Sequence, residues 1–388
     1  MKFETRNLHT GVEVDRLTGA SSVPIYQAST FHQFDWEEPP AFDYARSGNP
    51  TREALEKTIA ELEGASHGFA FASGMAAITS AFLTLPTGSH IVACEDIYGG
   101  TFRALTQVFS RLGFSTTFVD MTDLDQVEAA IQPNTRALYV ETPTNPTLRI
   151  IDLKGVAQLA KEKGILSIVD NTFLSPYLQK PHRFGIDIVL HSATKFLSGH
   201  SDVVAGLVTV NDEELAKQVY QIQNGFGGIL GVHDCWLVMR GIKTLSVRMK
   251  QSQKSAQVLA TYFKNQSAVR KVFYPGLDCH PGHQLHLSQA KGPGAVLSFE
   301  LESAEAVRAL VESLKLPLFA VSLGAVESIL SYPARMSHAA MPKEEREQRG
   351  ITEGLVRLSV GLEDVDDLLE DFEQGLKAAN RLVTEARI

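Results

Sequence analysis

The chain has 388 residues, a length suited to two domains that each bury a core. Hydrophobic residues make up 44% of it and charged residues 21%, the balance of a globular protein and not of a disordered or fibrous one. A formal charge of -9 disfavours a polyanionic partner, so small metabolites are expected and neither nucleic acid nor a membrane surface is.

The opening stretch MKFETRNLHTGVEVDR lacks the apolar core of a signal peptide, and no window reaches the length of a membrane span, which predicts a cytoplasmic protein. Residues 1–50 are rich in Pro, Ser, Thr and Gly with little periodicity and read as an extended arm. At Thr51 the pattern changes. TREALEKTIAELEG sets Leu55, Ile59 and Leu62 on one helical face and ends on Gly64, a C-terminal cap.

From there to about residue 210, short apolar runs alternate with helical patterns: GFAFAS, HIVACED, FSTTFVD, RALYVET, ILSIVD, IDIVLHS and VVAGLVTV. Between the fourth and fifth lies DLKGVAQLAKEKG, with Asp152 as N-cap, Val156 and Leu159 on one face and Gly164 as the stop, which makes a strand, helix, strand unit. Several such units imply an α/β fold with a mainly parallel sheet covered by helices on both faces. Ligands of such sheets bind beyond the carboxyl ends of the strands.

One long helical stretch, HDCWLVMRGIKTLSVRMKQSQKSAQVLATYF, leads into a different grammar: the strand AVLSFEL, the helix AEAVRALVESL, the strand LVRLSV and the closing helix VDDLLEDFEQGLKAANRL. This predicts a smaller α+β domain from residue 245 to 388, after a large domain spanning 51–244. Cys94, Cys235 and Cys279 are odd in number and widely spread, so no disulfide framework is implied. CHPGH lacks a fourth ligand at a recognisable spacing and reads as a Pro-Gly loop, so no metal is assigned.

Three features fall just past predicted strands. ASGMAAI opens a helix, turning the N–H groups of Gly74 and Met75 toward a site suited to phosphate, although such a turn also serves plain strand-to-helix packing. Asp170 tips ILSIVD, where a carboxylate can equally cap a turn. Lys195, in HSATKFLSGH, follows 25 positions later, and a lysine on a turn after a strand is by itself common. Together a phosphate cradle, a buried carboxylate and a lysine describe what pyridoxal phosphate needs: a covalent anchor, a partner for the pyridine nitrogen, and amides and hydroxyls for the phosphate. Ser192 and Thr194 flank the lysine and suit the phosphate.

YARSGNPTR, ASGMAAI, YGGTFR, ETPTNPT, VDNTF, HSATKFLSGHSD and SLGAVESILSYPARMSHAAMP, in this order along nearly the whole chain, resemble the Cys/Met metabolism family of fold-type I pyridoxal-phosphate enzymes. The resemblance implies the PLP-dependent transferase-like fold, with a mainly parallel seven-stranded sheet sandwiched by helices and a smaller α+β C-terminal domain. It makes Lys195 the lysine linked to the cofactor, Asp170 the partner of the pyridine nitrogen and Tyr98 the aromatic stacked on the ring. Gly74, Met75, Ser192 and Thr194 are implied to bind phosphate from one subunit, with Tyr44 and Arg46 reaching it from the neighbour. Asn145 is implied to lie near the ring hydroxyl. Arg357, which alternation turns away from Val356, Leu358 and Val360, is implied to fork onto a substrate α-carboxylate with help from Ser322.

The implied activity is that of a carbon–sulfur lyase on a sulfur amino acid, working as a homotetramer, a dimer of dimers with shared active sites. Between β- and γ-elimination the shared motifs are silent. Gly100 in YGGT departs from the cysteine of methionine γ-lyases, and Val321 stands where many γ-acting members carry glutamate, which favours β-elimination. Arg103 matches a γ-lyase position and points the other way. The γ-acting alternatives that the resemblance leaves open are a γ-lyase, a γ-synthase and an acylhomoserine sulfhydrylase, and a non-catalytic pyridoxal-phosphate carrier is the alternative of a different class.

Overall fold

The structure is a computed structural model and describes residues 1–11, 13–339 and 341–385; Ala340 of the last motif lies outside them. Among the described residues two sheets form. The larger contains β1 (His67–Phe71), β2 (His90–Cys94), β3 (Ser115–Val119), β4 (Thr135–Glu141), β5 (Leu166–Asp170), β6 (Ile188–Ser192) and β7 (Gly206–Val210), in the order β1-β7-β6-β5-β4-β2-β3. Each coincides with one of the apolar runs. Pairings from β3 across to β6 are parallel, whereas β7 runs antiparallel to both β6 and β1. The reversal at β7 is a local event: the chain leaves β6 at Ser192, makes the turn that carries Lys195, and returns with Gly206 opposite Ser192.

Helices cover both faces of this sheet, as burial of its strands requires. On one side α3 (Gly74–Leu83) and the helices Leu153–Lys163 and Glu213–Phe226 enclose Ile78, Phe82, Val156 and Val219 with the strand side chains. On the other, α2 (Pro50–Glu63) packs Leu55, Ile59 and Leu62 with Val238 and Met249. Asn49 caps α2 and Gly64 ends it in the left-handed region, at φ 77°.

The second sheet holds β8 (Lys271–Phe273), β9 (Val296–Glu300), β10 (Leu318–Phe319), β11 (Ile329–Ser331) and β12 (Leu355–Ser359), ordered β10-β11-β12-β9-β8 and antiparallel except for β10 with β11. Its core unites Phe263, Phe299 and Phe372 with Val356 and Leu358.

Two expectations need correction. The first fifty residues are not extended throughout: Phe3–His9 forms α1, because Phe3 is buried against Tyr177 and the Asn7 amide donates to the carbonyl of Ile242. The long helical stretch is two helices, Val232–Ile242 and Leu245–Lys264, separated at Lys243 and Thr244. At the break the Gly241 carbonyl accepts from the Thr244 N–H at 3.1 Å and from Arg248 at 2.8 Å.

Candidate active site

The carboxyl ends of β1, β2, β4, β5 and β6 open on one rim, and Ser331 of β11 and Arg357 of β12 in the second sheet face them. Between them lies a cavity of about 440 Å³, within the size range of small-molecule sites. Its walls include Gly74, Met75, Tyr98, Asn145, Asp170, Ser192, Thr194, Lys195, Ser322 and Arg357, so these sequence-predicted residues are brought together.

At one end Ser73 caps α3, its hydroxyl accepting from the Ala76 N–H at 3.0 Å, and the first turn of the helix faces Ser192 and Thr194. Glycine at position 74 follows from crowding: a Cβ there lies 2.8 Å from the Ser192 Cβ. The amide end of α3 and two hydroxyls thus share a narrow cradle, the donor set an anion needs.

Lys195 lies in the turn after β6, which begins at Ala193. Its Nζ donates to Ser322 Oγ at 2.6 Å. Burial chiefly, and then the Arg357 charge, bring its pKa down to about 8 from 10.5, with Asp170 opposing. Ser322 itself holds φ 90°, a left-handed backbone unusual for serine. The turn is tied from outside by Arg248, whose Nη1 donates to the Phe196 carbonyl at 2.7 Å and Nη2 to Leu197 at 3.3 Å, while Nε donates to Thr244 Oγ1 at 3.0 Å.

Arg357 lies mid-strand in β12 and is 3% exposed. Its Nη1 donates to Asn145 Oδ1 and its Nη2 to the Ser322 carbonyl, both at 2.7 Å, and Nε finds no partner among the described residues. Burial pushes its pKa down to about 10. Among the described residues no carboxylate pairs with it, which leaves a fixed positive charge facing the cavity. Asn145 therefore engages the guanidinium, a partnership that its reading as a neighbour of a ring hydroxyl did not include.

Asp170 accepts from the Thr172 N–H at 2.9 Å, and burial raises its carboxyl above the ordinary value against that bond and the nearby His191 and Lys195. Sequence reading missed its neighbour Glu141, at the tip of β4 and directly opposite Asp170 in register. Burial and then the neighbouring Asp170 push the Glu141 carboxyl well above its ordinary range. The Tyr98 N–H donates to both Glu141 oxygens, at 3.0 and 3.1 Å, which fixes the start of the YGGT turn. An acid ending an apolar run beside the ILSIVD strand was the available signal. The Tyr98 ring is 40% exposed and faces the cavity, and a Cβ at Gly100 would collide with it and with Met75.

Tyr44 and Arg46 are not brought to the cavity of their own chain. They lie on the segment before α2, with the Arg46 guanidinium 5.6 Å from the Tyr44 ring centroid and Arg52 donating to the carbonyls of Ala45 and Arg46. Arg103, Val321, Phe173, Met336 and Ser337 complete the cavity's wider mouth.

This donor set fits pyridoxal phosphate. The amide end of α3 with two hydroxyls has the donors a phosphate requires, and a buried carboxylate at Asp170, a flat aromatic face at Tyr98 and the amine of Lys195 line the same walls.

Comparison with known proteins points the same way. The chain is 63% identical over 97% of its length to the cystathionine beta-lyase MetC of Bacillus subtilis (strain 168), covering 96% of that protein. It is 51% identical to the cystathionine gamma-lyase of the same organism, covering 97% of this chain and 100% of that one. Its fold superposes on the crystal structure of cystathionine gamma-lyase from Lactobacillus plantarum complexed with L-serine with a TM-score of 0.95, at 48% identity over 98% of this chain and 100% of that one. The profile of the Cys/Met metabolism PLP-dependent enzymes matches residues 4–377, and the chain belongs to that family.

Proposed function

We propose that the protein is a cystathionine β-lyase, which with one water converts L-cystathionine to homocysteine, pyruvate and ammonia. The observation that carries this reading is the 63% identity, over 97% of the chain, to a cystathionine beta-lyase. Bound pyridoxal phosphate supplies an electron sink for the pair released when the substrate Cα–H bond breaks.

The chain's own residues do the rest. Arg357 binds the substrate α-carboxylate through its planar fork, held in aim by Asn145 and the Ser322 carbonyl. Lys195, brought down to about 8, has an amine able to take the α-proton near neutral pH, and Ser322 Oγ directs its Nζ. Asp170 holds the ring nitrogen charged, Tyr98 covers the ring, and Gly74, Met75, Ser192 and Thr194 hold the phosphate. Glu141 holds the Tyr98 N–H with both oxygens, which positions the start of the YGGT turn.

The assembly is a homotetramer, a dimer of dimers in which Tyr44 and Arg46 enter the neighbour's site. In its favour, the arm that carries them exposes Phe34 and Trp36, at 94% and 101%, as surface a neighbour would cover. A cytoplasmic location is supported by three free cysteines and by the absence, among the described residues, of a helix long and apolar enough to cross a membrane.

A γ-lyase reading is favoured by one observation, Arg103 in the cavity wall. Identifying the keto acid formed from L-cystathionine decides between them: pyruvate with homocysteine is expected, and 2-oxobutyrate with cysteine as main products overturns the β-lyase assignment. Subunit sharing is tested by exchanging subunits between inactive Arg46→Ala and Lys195→Ala proteins, where regained activity is expected and none after verified exchange rejects it.

A further inference from the structure

Behind the cavity, the reverse side of the same two strand ends is locked by a carboxylate that the reaction does not touch. β5 and β6 run in parallel with Asp170 opposite Leu190. Alternation gives Asp170 and Ser192 the cavity face and sends their chain neighbours Asn171 and His191 to the other. There Glu63, the last residue of α2, accepts from both on one oxygen: His191 Nε2 at 2.5 Å and Asn171 Nδ2 at 2.9 Å. Glu63 and His191 side chains are fully buried. Asn171 extends the network, since Gln179 Nε2 donates to its Oδ1 at 3.1 Å and to the Thr142 carbonyl at 3.1 Å. Lys180 adds a nearly buried ammonium, donating to the Leu62 carbonyl beside Glu63.

The arrangement is poorly suited to stability alone. Glu63 Oε2 and His191 Nδ1 have no hydrogen-bond partner among the described residues, and a buried ionisable pair costs desolvation that apolar packing would avoid. Its geometry is directional instead. One carboxylate oxygen bridges the residue after Asp170 and the residue before Ser192, so it sets the spacing of the two strand tips that deliver the ring partner and the phosphate hydroxyl. The Asn171 N–H to Leu190 carbonyl bond, at 2.9 Å, and the Ser192 N–H to Thr172 Oγ1 bond, at 2.8 Å, carry that spacing to the front.

We infer that Glu63 is a positioning residue for the cofactor: by clamping Asn171 and His191 from behind the sheet, it holds Asp170 and Ser192 at the separation that seats pyridoxal phosphate. The inference rests on the proposed cofactor role of this cavity. Glu63→Ala removes the acceptor, while Glu63→Gln keeps an oxygen that both donors can reach.

The test uses purified holoenzyme and reads visible circular dichroism per bound cofactor and the rate of cofactor release on dilution, beside the melting temperature of the cofactor-free protein. For Glu63→Ala we expect release about tenfold faster, the scale of one lost charged hydrogen bond, with a reshaped dichroism band. Glu63→Gln should stay within about threefold of wild type. Wild-type dichroism and release in Glu63→Ala, even with a lowered melting temperature, would reduce Glu63 to a structural role and overturn the inference. So would a Gln variant no better than Ala. Should Glu63→Ala not fold, Asn171→Ala cuts only the β5 side of the clamp, and unchanged release and dichroism there reject the inference equally. A wild-type protein that takes up no pyridoxal phosphate refutes the cofactor reading itself.

Discussion

Lys195 and Arg357 bring positive charge into one cavity from two differently built regions, and burial treats them differently. Lys195 stands on a turn at the end of a central strand of the larger sheet; Arg357 stands mid-strand in β12, in the interior of the smaller one. Neither forms an ion pair with a carboxylate among the described residues. Desolvation brings the lysine to about 8, where it can lose its proton near neutral pH. The same desolvation brings the arginine only to about 10, so it stays charged and its two terminal nitrogens stay aimed. Lys195 Nζ has one hydrogen bond, to Ser322 Oγ, whereas two hydrogen bonds hold the Arg357 guanidinium plane. One region is built for a proton that moves and the other for a charge that does not.

The contrast breaks most severely at Lys195. Lys195→Ala should lower turnover by at least about 10³-fold, because anchor and proton carrier leave together; far-ultraviolet circular dichroism should be unchanged, and substantial turnover would dismiss the assignment. Arg357→Lys keeps a cation but loses the fork, and kcat/KM should drop about 10²-fold, mostly through KM. A fall confined to kcat would show that Arg357 does more than hold the substrate.

A stability measurement sharpens the lysine side. Across the window from about 8 to 10.5 the unfolded chain holds a proton at Lys195 that the folded chain has released. Folding is therefore penalised below about pH 8, and the penalty fades as pH rises toward 10.5. Cofactor-free Lys195→Met should be more stable than cofactor-free wild type at pH 7, with the gap in denaturant midpoint narrowing at higher pH. A constant gap would mean that the amine is not desolvated. The smallest effect is expected at Val321, 65% exposed at the cavity mouth. Val321→Glu should raise the share of γ-elimination products from cystathionine about twofold, a shift of well under 1 kcal/mol between competing barriers.

What could be read in the sequence was what is local. Each large-sheet strand announces itself as an apolar run, and the turns that follow them carry Gly74, Asp170 and Lys195 at strand ends where ligands bind. The antiparallel return of β7 has the same composition as its parallel neighbours, and only pairing distinguishes it. Short strands such as β10 and β11 carry too few residues for a period to show. Helix α1 depends on Tyr177 and Ile242, far away in the chain. Glu141 was overlooked because a glutamate ending a strand is ordinary until Asp170 is placed beside it. The Glu63 and His191 pair spans 128 positions, and no spacing rule connects residues so distant.

Arg248 has a consequence for the order in which this protein is made. The backbone turn carrying Lys195 is held by donors from a helix that begins at Leu245, and Ser322 and Arg357 come later still. A nascent chain therefore carries Lys195 while the groups that shape its surroundings are still unsynthesised. Until that helix docks, the carbonyls of Phe196 and Leu197 are open to water, and the amine keeps the proton of a solvated lysine. With Lys195 in its proposed role, a fragment ending before Leu245 should carry the lysine without the lowered pKa that its surroundings give it.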